Sequence, residues 1–229
     1  MKRTLLFLWV LFFDFCLSQT KITYPELVQR LTDLEYLSSP PLDGEVSGSF
    51  SSYDRSSKYD SNIKTYLNWH ANRDGTGYIR KENDKIVVFE DNGPGVIWRF
   101  WSALALEGHI KIYVDHQSNP IIDQPFSDFF EQLNEKGVKL PKDLPGYPSV
   151  NLPELMSTLS RGRNRFIPIP YKKHCKIVLE KGWGMYYNIT YTKFPDKKIE
   201  LPEFNGSFSK EDLITLAKTD RILYNRGFV

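Results

Sequence analysis

Cysteine, histidine and long apolar runs are scarce in this chain of 229 residues, and each scarcity excludes a class of protein. If a leader containing Cys16 is removed, Cys175 has no partner, so an intramolecular disulfide is excluded. The four histidines never fall at metal-ligand spacing with a cysteine or carboxylate, and neither HExxH nor GxSxG occurs. We therefore expect no metal, no other cofactor and no serine-hydrolase site.

A strong excess of charge of either sign is also missing. The 30 Lys and Arg residues nearly balance the 28 Asp and Glu residues, for a formal charge of +2. Such a balance argues against a polyanion, so nucleic acid is not expected as a partner. The chain also shows no internal repeat, low-complexity tract or glycine motif of a nucleotide-binding protein.

The one long apolar run lies near the N-terminus, at residues 5–13, after a basic pair. It is shorter than the roughly 20 residues of a membrane span, and Asp14 interrupts it, which disfavours a membrane anchor. Small residues, Cys16 and Ser18, stand where a signal peptidase inspects the chain. We predict a signal peptide at 1–18 and a secreted or periplasmic protein.

The remaining chain has the pattern of an all-β protein. From Ile86 onward, short aromatic and β-branched runs alternate with turn residues, which predicts a sandwich or barrel. His109–Asp115 alternates apolar and polar side chains, as a strand with one buried face requires. The runs Cys175–Leu179 and Met185–Tyr191 repeat this alternation.

Short helices are predicted around these strands. Pro25 can open one in the N-terminal segment 19–45, and Pro40-Pro41 excludes its continuation. Its leucines at helical spacing are Leu27, Leu31 and Leu34. The next stretch, Ser47–Asn62, has no apolar period and is typical of a solvated loop.

Two insertions and a terminal helix complete the organisation. Ser127 can cap a short helix, and Pro141–Pro153 is a proline-rich loop. Ser209 followed by Asp212 resembles a capping box, which predicts a helix in the C-terminal segment 205–229.

The most distinctive segment is the turn Asn92–Gly95 followed by an indole-rich strand. Strict alternation predicts one face with Val96, Trp98 and Phe100 and an opposite face with Ile97, Arg99 and Trp101. Two interpretations stay open. The strand is either a core aromatic stack with Arg99 paired to a carboxylate, or a platform on which an indole covers a sugar ring while Arg99 donates to hydroxyls.

A second polar segment runs from Ser51 to Arg55, with Asp60 and Asn62 close behind. It offers many hydrogen-bonding groups and no apolar anchor. Such a segment is either solvated and inert or a polar binding loop on a rigid scaffold.

Several motifs in a fixed order resemble one family, glycoside hydrolase family 172. They are Ser51–Arg55, Gly93–Trp101, Ile110–Asp115 with Pro120 and Pro125-Phe126, Ile167–Tyr171, and Tyr186–Tyr191. The resemblance implies a double jelly roll, trimers or multiples of trimers, and activity on furanosides such as α-D-fructofuranosides and D-arabinan. It also implies a retaining mechanism with two glutamates, which needs carboxylates roughly 5 Å apart. That pair belongs to the second jelly roll of the family.

The resemblance covers a jelly-roll β-sandwich at 46–204 and a connecting helix at 205–229, so the catalytic pair is expected beyond Val229. We carry over no catalytic residue and interpret four acidic residues as strand-end, turn or helix carboxylates: Glu107, Asp115, Asp123 and Glu131. The candidates for contact with sugar, or with a missing second half, are Asp54, Arg55, Trp98, Arg99 and Trp101.

Three hypotheses follow, and whether this chain alone is an enzyme stays open. The first is the N-terminal half of a secreted furanosidase, truncated or encoded as a split gene, with a homotrimer or a second jelly roll as partner. The second is a non-catalytic glycan-binding or structural jelly roll. The third is a complete hydrolase with a rearranged carboxylate pair. In the first two, the expected ligand is a furanoside-containing glycan.

Overall fold

The computed structural model describes residues 19–75, 77–133, 142, 152–195 and 198–226. The predicted leader and most of the proline-rich loop lie outside these residues. The helices are α1 Tyr24–Gln29, α2 Leu34–Ser38, α3 Phe126–Phe129 and α4 Lys210–Tyr224. The strands are β1 Thr20–Lys21, β2 Val46–Ser51, β3 Lys58–Asp60, β4 Thr65–Leu67, β5 Arg80–Glu82, β6 Lys85–Asn92, β7 Gly95–Ser102, β8 Leu104–Ala105, β9 His109–Val114, β10 Ile122–Pro125, β11 Thr158–Leu159, β12 Gly162–Arg165, β13 Ile169–Tyr171, β14 His174–Leu179, β15 Gly184–Met185, β16 Asn188–Lys193 and β17 Ile199–Glu200.

Two antiparallel sheets stack face to face. The first has the strand order β10-β9-β14-β6-β5, and the second has the order β11-β12-β7-β16-β2, with β13 also paired to β7. Apolar side chains of both sheets form one buried cluster. Phe89 of the first sheet lies 4.9 Å from Phe50 and 5.3 Å from Tyr191 of the second, measured between ring centroids. The predicted β-sandwich with short peripheral helices is confirmed.

The N-terminal segment packs against the outer side of the second sheet. Strand β1 pairs in parallel with β17, and Ile22 and Leu27 form a smaller core with Val96 and Phe194. Helix α1 also contacts α4. One end of the outer face is therefore covered by the chain itself. In the part of the chain that the structure describes, no helix combines the length and apolarity needed to span a bilayer.

The predicted helices are partly correct. Leu27 and Leu34 do not share one helix, because the Asp33 carboxylate accepts from two backbone N–H groups and caps α2 separately. Helix α3 begins after Pro125 without a side-chain cap, so the predicted role of Ser127 is wrong. The capping box at Ser209 is confirmed.

Two strand predictions are also corrected. The predicted loop Ser47–Asn62 contains most of β2 and all of β3, and β2 is the edge strand of the second sheet. The run Met185–Tyr191 is not one strand, because Tyr186 has a left-handed φ of 61° and separates β15 from β16. The two halves pair in different sheets.

The outer face of the first sheet carries charged side chains of both signs. Arg80 pairs with Glu82 and Glu90, and these carboxylates also pair with Lys176 and His174. A second group is formed by Lys85, Glu180, Lys111, Asp123 and His109. Such a network is typical of a solvated sheet face.

Glu90→Gln is expected to lower the free energy of unfolding by about 1 kcal/mol or less at neutral pH, as for other partly exposed ion pairs. The hydrogen bond from Arg80 holds the pKa of Glu90 below its usual value. The folded-state pKa therefore lies below the unfolded one, so this stabilisation is present above about pH 4.5 and is lost as the pH falls through the folded-state value. Urea unfolding at pH 7 and near pH 3 checks this, with exposed Glu107→Gln as the control; equal losses at both pH values would contradict it.

Candidate functional site

A β-bulge decides which side chains of β7 share a face. In the pairing with β16, Thr190 lies opposite Arg99, but Tyr191 lies opposite Ile97, so Trp98 is an extra residue on β7. Such an insertion reverses the alternation on one side of the bulge. The predicted division into faces is therefore wrong. Ile97 and Phe100 both enter the inter-sheet core.

The bulge puts the two indoles and the guanidinium on the same, outer side of the second sheet. Trp98 also packs against the smaller core, and it lines a groove that Arg99 and Trp101 do not line. We call Trp98, Arg99 and Trp101 the tryptophan face. All three side chains are partly exposed. The side chain of Trp101 lies against Gly162, where an added Cβ would be 2.6 Å from the indole Nε1. Strict alternation would have placed Trp98 on the side opposite to Arg99 and Trp101.

Arg99 is fixed by an amide. Its Nε and Nη2 donate to Oδ1 of Asn164 at 3.1 and 2.9 Å, and its guanidinium lies 5.7 Å from the ring centroid of Phe166. Burial lowers the pKa of Arg99. Among the described residues no carboxylate forms an ion pair with Arg99, so Asn164 takes the place of the carboxylate that the core-stack interpretation required.

Short polar side chains extend the outer surface of the second sheet from the tryptophan face across β16 to β2. They come from alternating positions of two neighbouring strands, and cross-strand partners point to the same side of a sheet. These positions are Ser47, Ser49 and Ser51 on β2 and Asn188, Thr190 and Thr192 on β16. The hydroxyl and amide groups of β16 are therefore next to β7, and those of β2 lie one strand further out.

Trp98 lies at the edge of a groove of about 680 Å³. Its indole Nε1 donates to Oγ1 of Thr192 at 2.9 Å, and that hydroxyl is 3.0 Å from the hydroxyl of Ser47. Arg30 and Tyr36 of the N-terminal segment also line the groove, and their side chains form a hydrogen bond of 3.3 Å. The groove thus combines an indole edge with hydroxyl, phenol and guanidinium groups.

Asp54 and Arg55 line a separate cavity of about 750 Å³ beside β2. Arg55 donates to the carbonyl oxygens of Ser51 at 2.7 Å and Tyr78 at 3.2 Å, and its guanidinium lies 3.8 Å from the ring centroid of Tyr53. Arg55 therefore fastens the end of the edge strand to the following loop.

The Asp54 carboxylate organises the loop in the same way. Its Oδ1 accepts from the backbone N–H and hydroxyl of Ser56, and its Oδ2 accepts from the backbone N–H of Arg73. These bonds lower the pKa of Asp54. Since Ser47 borders the first groove while Ser49 and Ser51 border the second, the structure does not bring Asp54 and Arg55 into the groove of Trp98.

The four carboxylates interpreted as structural have different surroundings. Asp115 lies in a left-handed turn and accepts from the backbone N–H of Lys173 at 2.7 Å. Asp123 pairs with His109 and Lys111, and Glu131 pairs with Arg163; Glu107 is exposed. Among the described residues, no group of three His, Cys, Asp or Glu side chains is arranged to hold a metal ion.

Sequence reasoning missed several groups at this site. Thr190 and Thr192 alternate with apolar residues in β16, a signal that could have found them. Asn164 and the pair Arg30 and Tyr36 reach the site only through tertiary pairing, which no local pattern shows.

A family model described as the GH172 first beta-sandwich domain matches residues 43–212. This range includes the tryptophan face and the cavity of Asp54 and Arg55. No curated protein matches the chain.

Proposed function

We propose, from the premise that the chain belongs to the glycoside hydrolase family GH172, that it is an exported β-sandwich which binds furanoside-containing glycans as the N-terminal half of a retaining furanosidase. The substrate class that we propose is α-D-fructofuranosides or D-arabinan. The two catalytic glutamates are assigned to a second jelly roll, with a homotrimer as a possible assembly. No residue of this chain is assigned a role in bond cleavage.

The observation that supports this proposal best is the tryptophan face. Indole surfaces cover the apolar faces of sugar rings, while hydroxyl, amide and guanidinium groups bind the sugar hydroxyls. The bulge of β7 places Trp98, Arg99 and Trp101 on one side of the sheet, and the short polar side chains of β16 and β2 follow on the same side. The charged outer face of the first sheet has no such combination.

A second candidate function is a glycan-binding module without catalysis. The same face favours it, because Trp98 and Arg99 are held by Thr192 and Asn164 and need no further domain to fix them. The two candidates differ in one measurable property, which is turnover in the presence of a second jelly roll.

Trp98→Ala is expected to weaken binding of furanose oligosaccharides to the purified chain about tenfold, which corresponds to about 1.4 kcal/mol. The truncation removes ring-stacking area and the bond to Thr192. Calorimetric titration with fructan and arabinan oligosaccharides checks this. Trp69→Ala is the matched control, because Trp69 is 79% exposed and lies outside the face.

Two outcomes would overturn the proposal. Equal binding by wild type and Trp98→Ala would remove the tryptophan face as the site. Clear hydrolysis of nitrophenyl furanosides by the purified chain would contradict the assignment of the glutamates to a second jelly roll. Thermal unfolding of each variant shows whether a loss of binding reflects a loss of folding.

A further inference from the structure

A third cavity, of about 400 Å³, lies away from the tryptophan face, beside β10 and α3. Arg165, at the end of β12, is 4% exposed and is the one positively charged side chain among the described residues that line it. Gln124, Gln132 and Asp123 are the other polar residues of the lining. A cavity of this size is in the range of small-molecule sites.

The contacts of Arg165 use one side of its guanidinium. Nη1 donates to the carbonyl oxygens of Phe129 at 2.8 Å and Gln132 at 3.2 Å. The guanidinium carbon lies 4.6 Å from the ring centroid of Phe129. These contacts hold the group in place but supply no negative charge.

Among the described residues, the hydrogen bonds of Arg165 all come from Nη1. Nε is buried without a hydrogen bond, and no described atom bonds to Nη2. No carboxylate among the described residues forms an ion pair with Arg165. Burial lowers the pKa of Arg165 to about 10, so the group is still charged at neutral pH. A buried charge without a counterion is costly, and such groups mark candidate functional sites.

We propose that this cavity binds the carboxylate of an acidic monosaccharide, a uronate, on the Nε and Nη2 edge of Arg165. The sugar part of this ligand rests on the proposed function. Two parallel N–H groups on a planar guanidinium match the two oxygens of a carboxylate. A single guanidinium balances a single negative charge, and the described lining holds no second positive charge for a doubly charged phosphate or sulfate. The glutamine amides offer donors and acceptors for ring hydroxyls.

Titration calorimetry of the full chain with sodium D-glucuronate, D-glucose, acetate and sulfate tests this. We expect glucuronate to bind and glucose not to bind. Arg165→Lys should weaken glucuronate binding at least about tenfold, since an ammonium lacks the paired donors. Arg163→Lys, two residues away on the same strand, is the matched control and should leave it unchanged.

Asp123→Asn keeps the proposal testable if the Arg165 variant does not fold. The substitution removes a negative charge beside the cavity and leaves Lys111 without that partner, so glucuronate binding should tighten by about threefold or more. No binding of glucuronate to wild type, an equal loss with Arg163→Lys, or competition by sulfate as strong as that by acetate would each overturn the proposal. Glucuronate binding that survives Trp98→Ala, together with no furanoside binding by wild type, would reject the proposed function and leave this site standing.

Discussion

Phe100→Ala is expected to lower the free energy of unfolding by about 3–5 kcal/mol, the usual cost of removing a fully buried phenylalanine. Phe100 is 1% exposed and fills the core between the second sheet and α3. Its ring lies 5.7 Å from that of Phe126 and 5.3 Å from that of Phe129, both in edge-to-face geometry. Alanine would remove these contacts and leave a cavity that neighbouring strands cannot fill.

Denaturant unfolding followed by circular dichroism measures this loss, and an unchanged m-value would show that the transition is comparable. Tyr59→Ala is the matched aromatic control. Tyr59 is 55% exposed and contacts Tyr66 in the small hairpin of β3 and β4, so we expect a loss below about 1 kcal/mol. Similar losses for both variants would mean that the Phe100 cluster is not the main core.

Local sequence patterns predict the inner strands of the sandwich well. In β9, Ile110, Ile112 and Val114 are buried and alternate with partly exposed residues, as the sequence indicates. Edge strand β2 escapes the same reasoning, because its sequence VSGSFS has a single large aromatic residue. An edge strand is defined by its partner, here β16, and not by an apolar period of its own.

The tryptophan face shows both the reach of sequence reasoning and its limit. The choice of Trp98, Arg99 and Trp101 follows from residue chemistry alone. That the three side chains share one side of the sheet does not follow from residue chemistry. It depends on a bulge in the pairing with β16, and a one-residue shift in register exchanges the two faces of a strand. The burial of Arg165 is also set by tertiary packing, and the polar residues that flank it in the sequence give no indication of it.

The two outer faces of the sandwich differ in chemistry, and this difference bears on their roles. On the first sheet, Arg80 and Lys176 are paired with carboxylates of the same sheet. On the second sheet, Trp98 and Arg99 bond to the neutral groups of Thr192 and Asn164. A face with aromatic and arginine side chains and little charge is typical of binding surfaces.

Asp220→Ala is expected to lower the free energy of unfolding by about 2–4 kcal/mol, because it removes two hydrogen bonds to a charged group and leaves their donors unpaired. Asp220 is 5% exposed on α4, and its Oδ1 accepts from the backbone N–H groups of Glu154 at 2.9 Å and Leu155 at 2.8 Å. This carboxylate therefore joins the C-terminal helix to the segment that leads into β11.

Two variants separate this role from a general effect of helix substitution. Asp212→Ala removes a partly exposed residue of the α4 capping box and should lower the free energy of unfolding by about 1 kcal/mol. Asp220→Asn keeps an acceptor oxygen and should lower the free energy of unfolding less than Asp220→Ala does.

Burial raises the pKa of Asp220, so the folded state takes up the proton more readily than the unfolded state. The wild type therefore loses stability as the pH rises from the unfolded value near 3.8 through the folded one, and the deficit of Asp220→Asn should narrow over that interval. If the stability difference between Asp220→Asn and the wild type widens as the pH rises, the raised pKa is contradicted. If Asp220→Ala is as stable as Asp212→Ala, the role of Asp220 in joining α4 to the segment before β11 is contradicted.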